Sequence, residues 1–351
     1  MWENRAALYD VDQQRAIQKT IDPRMGESVL AFAYPPTTAF LLAPLGRLSF
    51  STAYLVMVLI NLSALLLVLY LLATHLDLNK EQTQWLLLIT FCSFGVQSAI
   101  LQGQTSLLLV LLVAFFMRSV RRGDQTASAL WNAALFLKPQ LVPVPLLVLA
   151  AQRRRRALGW AILLIAGLAV ASVLLVGWDG ISEYFRIARR FGGLQSDLGT
   201  NPQDMHNLRA LVHYALPAPL IIPAWIGAAM LVAGGVLLLN TKVRADEVGA
   251  ASQWVGNFSA IVLLSPHLHS HDLALLIPAH AFILKTCQHS IPASVSSSLL
   301  ALGIFPLLPW IFGTSLPPVM PLVFLIGFVG CVLLVRCGFR PHSEQTARVH
   351  Q

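Results

Sequence analysis

Residues 265–272, SPHLHSHD, set three histidines at alternate positions and an aspartate directly after the last. The stretches on either side, FSAIVLL and LALLIPA, carry no charge. Ionisable groups kept between two apolar runs bind a metal, relay protons or face a polar phase at the edge of a bilayer. The spacing alone leaves these open. His267, His269 and His271 share one face of an extended segment but splay apart on a helix. Imidazole suits transition metals, yet no cysteine and no second acidic cluster lies close by, so no metal is expected.

Other polar residues stand out against the same background. Asp10-Val11-Asp12 is an Asp-x-Asp, a tripeptide too common to carry weight by itself. Tyr34 sits in FAYPP, Gln102 and Gln104 flank a glycine in QGQ, and Lys138 interrupts ALFLKPQLVP. NPQDMHNLRAL adds Asp204, His206, Asn207 and Arg209. A lysine at membrane depth meets an anion, lines a wet cavity or snorkels to the headgroups.

These residues need a frame to hold them. Of 351 residues, 56% are hydrophobic and 11% charged, against about 25% charged in a soluble protein. Apolar runs recur from end to end, which predicts one integral-membrane unit over 1–340 and a cytoplasmic tail at 341–351. Segment 1–50 is expected to form an extracytoplasmic loop with an interfacial helix. The net charge of +8 is no nucleic-acid footprint, because its basic residues sit in short connectors, with RRRR at 153–156 the densest. Cys92, Cys287, Cys331 and Cys337 lack Cys-x-x-Cys spacing and read as small apolar residues. Asn61-Leu-Ser and Asn257-Phe-Ser match a glycosylation pattern but fall inside apolar runs, and are set aside.

A spanning helix takes roughly 20 apolar residues. Candidate spans are 51–74, 84–101, 105–118, 157–177, 219–240, 252–266, 271–285, 294–312 and 317–336. The stretch 126–151 has a basic cluster on both sides, MRSVRRG and QRRRR, so a single span would put one cluster outside. Two short helices, 126–137 and 141–151, keep both inside, and Pro139, Pro143 and Pro145 favour a break there. Lys138 then rides the tip toward the outer side. The fold class is therefore all-α and polytopic, with about eleven spans. Connectors 75–83, 118–125, 152–156, 241–250 and 285–292 fall inside, with the tail after Arg336. Segment 1–50, QGQ, loop 178–218, SPHLHSHD and GTSLPP fall outside. The unusual polar residues thus converge on one face of a multi-pass plasma-membrane protein.

In order along the chain, FAYPPTTAFLLAPLGRLSFSTAYLV, GQTSLLLVLLVAF, ALWNAALFLKPQLVPVPLLVLAAQRRRRAL, MHNLRALV and LLSPHLHSHDLALLIPA resemble glycosyltransferase family 87. The likeness runs over most of the chain, roughly Tyr9 to Ala279, and rests on the ordered set. It implies a membrane glycosyltransferase of the GT-C type, which takes a sugar from a polyprenyl-phosphate carrier and places it on a lipid or glycan acceptor at the outer face. Mannose is the family's best-known sugar, and the lipid-linked donor stands in place of any cofactor. Carried onto this chain, Tyr34-Pro35-Pro36 would shape the entrance and Gln104 and Lys138 would line the donor pocket. His206, Asn207 and Arg209, with His267, His269, His271 and Asp272, would close it. Lys138 or Arg209 would offset the charge of the departing phosphate, and an acceptor hydroxyl would need a base.

One departure from the family matters. The acidic residue expected early in the first outer loop lies upstream of Leu8-Tyr9-Asp10, so the expectation is that a first helix and that residue precede Met1. Asp10, Asp12 and His271 are the catalytic candidates within this sequence, with Asp204 and Asp272 behind them. The rival readings are a secondary transporter, a structural subunit and an inactive relative.

Overall fold

The computed structural model describes residues 8–25, 29–192, 198, 205–242, 246–286 and 319–337, and the described residues contain helices and no strand. Their α-helices are α1 (Val11–Ile21), α2 (Pro36–Leu42), α3 (Phe50–His75), α4 (Lys80–Cys92), α5 (Phe94–Leu101), α6 (Ser106–Arg122) and α7 (Gln125–Ala134). These are followed by α8 (Pro143–Ala151), α9 (Arg155–Gly192), α10 (Leu208–Ala215), α11 (Ala218–Asn240), α12 (Glu247–Leu264), α13 (Ile277–Thr286) and α14 (Val319–Cys337).

Helix starts follow local chemistry. Ser49, Asp124 and Asp246 each accept a backbone N–H from the first turn of α3, α7 and α12. Asn79 and Gln82 form a reciprocal capping box at α4.

By length and apolar content α3, the first part of α9 and α11 can each cross a membrane, and α4 with α5, bent by 53°, makes a fourth if taken as one span. Their outward faces carry exposed Leu59, Leu66, Leu163, Leu174, Met230 and Leu231, as lipid contact requires. The all-α membrane class holds. Among the described residues three or four helices meet the length and composition of a span, so the count of about eleven is not confirmed, and there are physical reasons. Candidate 84–101 breaks at Ser93, and 271–285 opens as a 3₁₀ segment, Ser270–Leu276, before α13. Candidate 294–312 lies outside the described residues, as do GTSLPP, Cys287 and the tail 341–351. The outer loop expected over 178–218 is partly helical, because α9 continues through a kink at Gly177. That residue has φ 73°, a conformation glycine adopts without steric cost.

The core is built around α6, whose Leu107, Leu109, Val110, Val113, Phe116 and Met117 are all buried, and α12, with Phe258 and Val262. Two polar ends bound it. At one end Arg154 donates to Val120 O at 2.6 Å, Lys285 to Asp77 O at 3.0 Å, and Gln82 to Leu284 O at 2.9 Å. The connectors expected inside therefore meet. Because Arg154 follows α8 and Val120 precedes α7, the stretch 125–151 leaves this end and returns to it, as two short helices should. Of the described residues expected outside, Tyr34 contacts Gln104, Lys138 contacts Asp272, Gln102 contacts His271 and His206 contacts Ser270.

Candidate functional site

Lys138 lies between two 3₁₀ turns, Leu135–Leu137 and Pro139–Leu141, at the apex between α7 and α8. Its Nζ donates to Asp272 Oδ1 at 2.5 Å and Oδ2 at 2.6 Å. Ser106 Oγ, on the first turn of α6, donates to Oδ1 at 2.9 Å. Lys138 is 7% exposed and Asp272 1%. Withdrawing two charges from water is costly, and only good geometry with added hydrogen bonds offsets it. Here two donors, Lys138 Nζ and Ser106 Oγ, make three hydrogen bonds to one carboxylate.

Beside this pair, His271 Nδ1 lies 3.1 Å from Gln102 Oε1. An amide oxygen only accepts, so Nδ1 carries the proton and a neutral ring has its lone pair on Nε2. Nε2 stands 3.7 Å from Asp272 Oδ2, which would stabilise an imidazolium formed there. The ring also stacks on His269, with centroids 5.7 Å apart.

Tyr34 and Gln104 meet through the Tyr34 hydroxyl, 3.4 Å from Gln104 Oε1. Asn61, fully buried in α3, holds the Gln104 backbone oxygen at 2.7 Å. Thr38 of α2 donates to Leu137 O at 3.0 Å, tying the entrance segment to the Lys138 tip. On the far side, His206 N donates to Leu268 O at 3.0 Å, and His206 Nε2 lies 3.1 Å from Ser270 Oγ. Asn207 caps α10 by accepting from Ala210 N, and its amide donates to Ser265 O at 2.9 Å. Arg209 is buried, its guanidinium 5.7 Å from the Trp225 ring centroid. His267 packs edge-on against Phe191 at 5.6 Å, and its Nδ1 is buried without a hydrogen-bond partner among the described residues.

Burial controls protonation in these connectors. It holds His206 down to about 4, helped by His269. It holds His267 down to about 3, helped by Arg209, His269 and Lys138. Burial also raises the Tyr9 phenol, whose hydroxyl donates to Tyr34 O at 2.7 Å.

Asp10 and Asp12 are placed apart from this cluster. Asp10 caps α1, accepting from Asp12 N and Gln13 N at 3.0 Å, and Asp12 pairs with Arg15 at 2.5 Å. Their link to the Tyr34 segment runs through neighbours, Tyr9 donating to Tyr34 O and Gln14 accepting from Phe32 N. Asp204 lies outside the described residues. Among the described residues no three His, Cys, Asp or Glu side chains gather closely enough to hold a metal ion. His267 faces Phe191 while His269 and His271 stack on each other.

Ser106, Asn61 and Thr38 were not singled out from sequence as site residues. Ser106 is the one with a readable signal, a hydroxyl directly after QGQT at the head of an apolar run. Nothing local marks Asn61 or Thr38, whose roles depend on partners 43 and 99 positions away.

A bundle of apolar helices that gathers an ion pair, imidazoles and amides at one end defines a helical membrane protein with a buried polar site. The chain belongs to glycosyltransferase family 87, whose family model matches residues 32–266. It is also similar to two curated proteins named Alpha-(1->3)-arabinofuranosyltransferase, from Mycobacterium tuberculosis strains CDC 1551 / Oshkosh and ATCC 25618 / H37Rv. Each is 30% identical over 244 residues, covering 66% of this chain and 53% of the relative. The chain thus spans about half the length of the curated relatives it matches. No solved structure matches it.

Proposed function

We propose that this protein transfers a sugar from a polyprenyl-phosphate donor to a lipid or glycan acceptor at the extracytoplasmic face of the plasma membrane. The observation that carries this reading is the buried Lys138–Asp272–Ser106 cluster, set at a helix-hairpin tip beside His271 and Gln102. Family membership supports the reaction class.

In the proposed reaction the bond between the anomeric carbon and the phosphate oxygen breaks, and the acceptor oxygen takes the carbon. His271 Nε2 accepts the acceptor's proton, and the resulting imidazolium is stabilised by Asp272. Lys138 and Arg209 offset charge on the leaving phosphate. Tyr34 and Gln104 shape the donor entrance, while His206, Asn207, His267 and His269 hold the opposite wall. Asp10 and Asp12, expected from sequence as catalytic candidates, take no part in the transfer step of this reading, since one caps α1 and the other pairs with Arg15.

The sugar is either a hexose such as mannose, the reading taken from the family resemblance, or arabinofuranose, which the matched relatives' name favours. Membranes containing the chain would be given radiolabelled polyprenyl-phosphate mannose or polyprenyl-phosphate arabinofuranose. Transfer from one donor, lost in His271→Gln at unchanged protein level, is the expected outcome. Absence of transfer from either, with label moving across sealed vesicles, would reassign the site to transport.

A further inference from the structure

At the end opposite this site a cavity of ≈ 440 Å³ opens between α6, α12 and α13, the C-terminal end of α3 and the connector from α8 to α9. Arg121, Arg154 and Lys285 line it, with Trp254 and Phe282 forming an aromatic wall. The two rings stack with centroids 6.4 Å apart and planes within 13°. Arg121 lies over Phe282 at 5.2 Å and has no carboxylate within ion-pair distance among the described residues. Arg154 is pinned by Val120 O and by Gln152 Oε1, which fixes its guanidinium at the rim. His75 also lines the cavity, and its Nε2 is buried without a hydrogen-bond partner among the described residues.

The charges facing the space favour an anion. Asp77 and Glu247 oppose the three cations; Lys285 stands 3.7 Å from Glu247, and because its bond to Asp77 is to the backbone oxygen that carboxylate stays uncancelled, so the lining carries a net charge of one positive, three cations against two carboxylates. Arg121 and Arg154 are left facing the cavity, and Arg118 and Arg122 sit one turn away and adjacent on α6. His75 Nε2, without a partner among the described residues and within electrostatic reach of Arg121, offers an N–H to an anion's oxygen in its Nε2–H tautomer. Guanidinium and imidazole together suit a phosphate, and a flat aromatic wall suits the apolar part of an amphiphile.

We propose that this cavity binds a phosphate group, carried by the headgroup of an anionic phospholipid. The same phosphate chemistry could come from a soluble anion. Basic pockets between helices at the basic end of a membrane protein are suited to anionic headgroups. The site is separate from the Lys138 cluster, and its test does not depend on transfer activity.

The full chain would be reconstituted in nanodiscs of zwitterionic lipid with rising fractions of phosphatidylglycerol. Co-purifying lipid would be read by native mass spectrometry, and the unfolding midpoint in parallel. Inorganic phosphate alone forms a second arm. Phosphatidylglycerol should be retained and should raise the midpoint, and Arg121→Gln should weaken retention by about fivefold. Arg121→Lys keeps the charge and should recover most of it, which separates binding from misfolding. Stabilisation by inorganic phosphate that is lost in Arg121→Gln would support the site and assign it to a soluble anion. Equal retention by wild type and Arg121→Gln, with no response to inorganic phosphate, would overturn the proposal.

Discussion

Lys138 Nζ touches both carboxylate oxygens of Asp272, a residue 134 positions later in the chain. The pair joins the α7–α8 apex to the 3₁₀ segment ahead of α13, and Ser106 adds α6. Removing one member leaves the other charge buried and unmatched. Lys138→Ala and Asp272→Asn should each cost about 3–5 kcal/mol. Thermal unfolding of the detergent-purified protein checks this. A change of under about 1 kcal/mol in both would mean the pair is wetter than the structure shows.

Gly95 sets how closely α5 approaches the segment carrying His271 and Asp272. A Cβ there would meet Ala274 N at 2.7 Å and Leu273 C and Cβ at 3.1 Å, and the first two of these are backbone atoms that cannot swing aside. Gly95→Ala should therefore displace the segment, lowering stability by about 1–3 kcal/mol and depressing transfer without altering a polar group. Wild-type transfer together with a wild-type melting temperature would show that the contact is not tight.

Protonation of His206 and His267 gives the protein an acid limit. The unfolded histidine titrates near 6.5, and the folded values are depressed to about 4 and about 3. As pH falls below 6.5 the unfolded chain binds protons first. Stability is complete above that pH and drains away as pH drops toward the folded values. Melting temperatures should fall from about pH 7.5 to about pH 5, with a shallower slope in the His206→Gln, His267→Gln double variant. A profile that is flat or rises on acidification contradicts the burial seen at these two rings.

The two early aspartates separate stability from chemistry. Asp10→Ala removes the cap of α1 and should cost about 1 kcal/mol, whereas Asp12→Ala leaves only an exposed pair with Arg15 to lose. Both variants should keep transfer within about twofold of wild type. Collapse of transfer in either, with α1 intact by proteolytic protection, would place the acceptor base there instead of at His271.

Much of this arrangement was legible in the sequence because membrane helices leave few places for polar groups. SPHLHSHD and the prolines around Lys138 marked both halves of the ion pair. The paired basic clusters fixed the two-short-helix form of 126–151. What periodicity could not supply was the pairing itself, since any of several acids could have met Lys138. The kink at Gly177, the break at Ser93 and the 3₁₀ opening at Ser270 were missed because an apolar run reads the same whether it is straight or bent. Asn61 was noticed only as a discarded glycosylation match, yet it anchors the Gln104 backbone.

The most direct test of the site replaces both charges together. Lys138→Met with Asp272→Leu fills the space with apolar atoms and leaves no unmatched charge, so stability should return to within about 1.5 kcal/mol of wild type. Sugar transfer from the polyprenyl-phosphate donor would then be measured in that folded variant. Transfer should fall by at least about a hundredfold, because the groups facing the leaving phosphate and supporting His271 are both gone. Near-normal transfer in a stable double variant would show that the pair only holds the fold together and that the chemistry lies elsewhere.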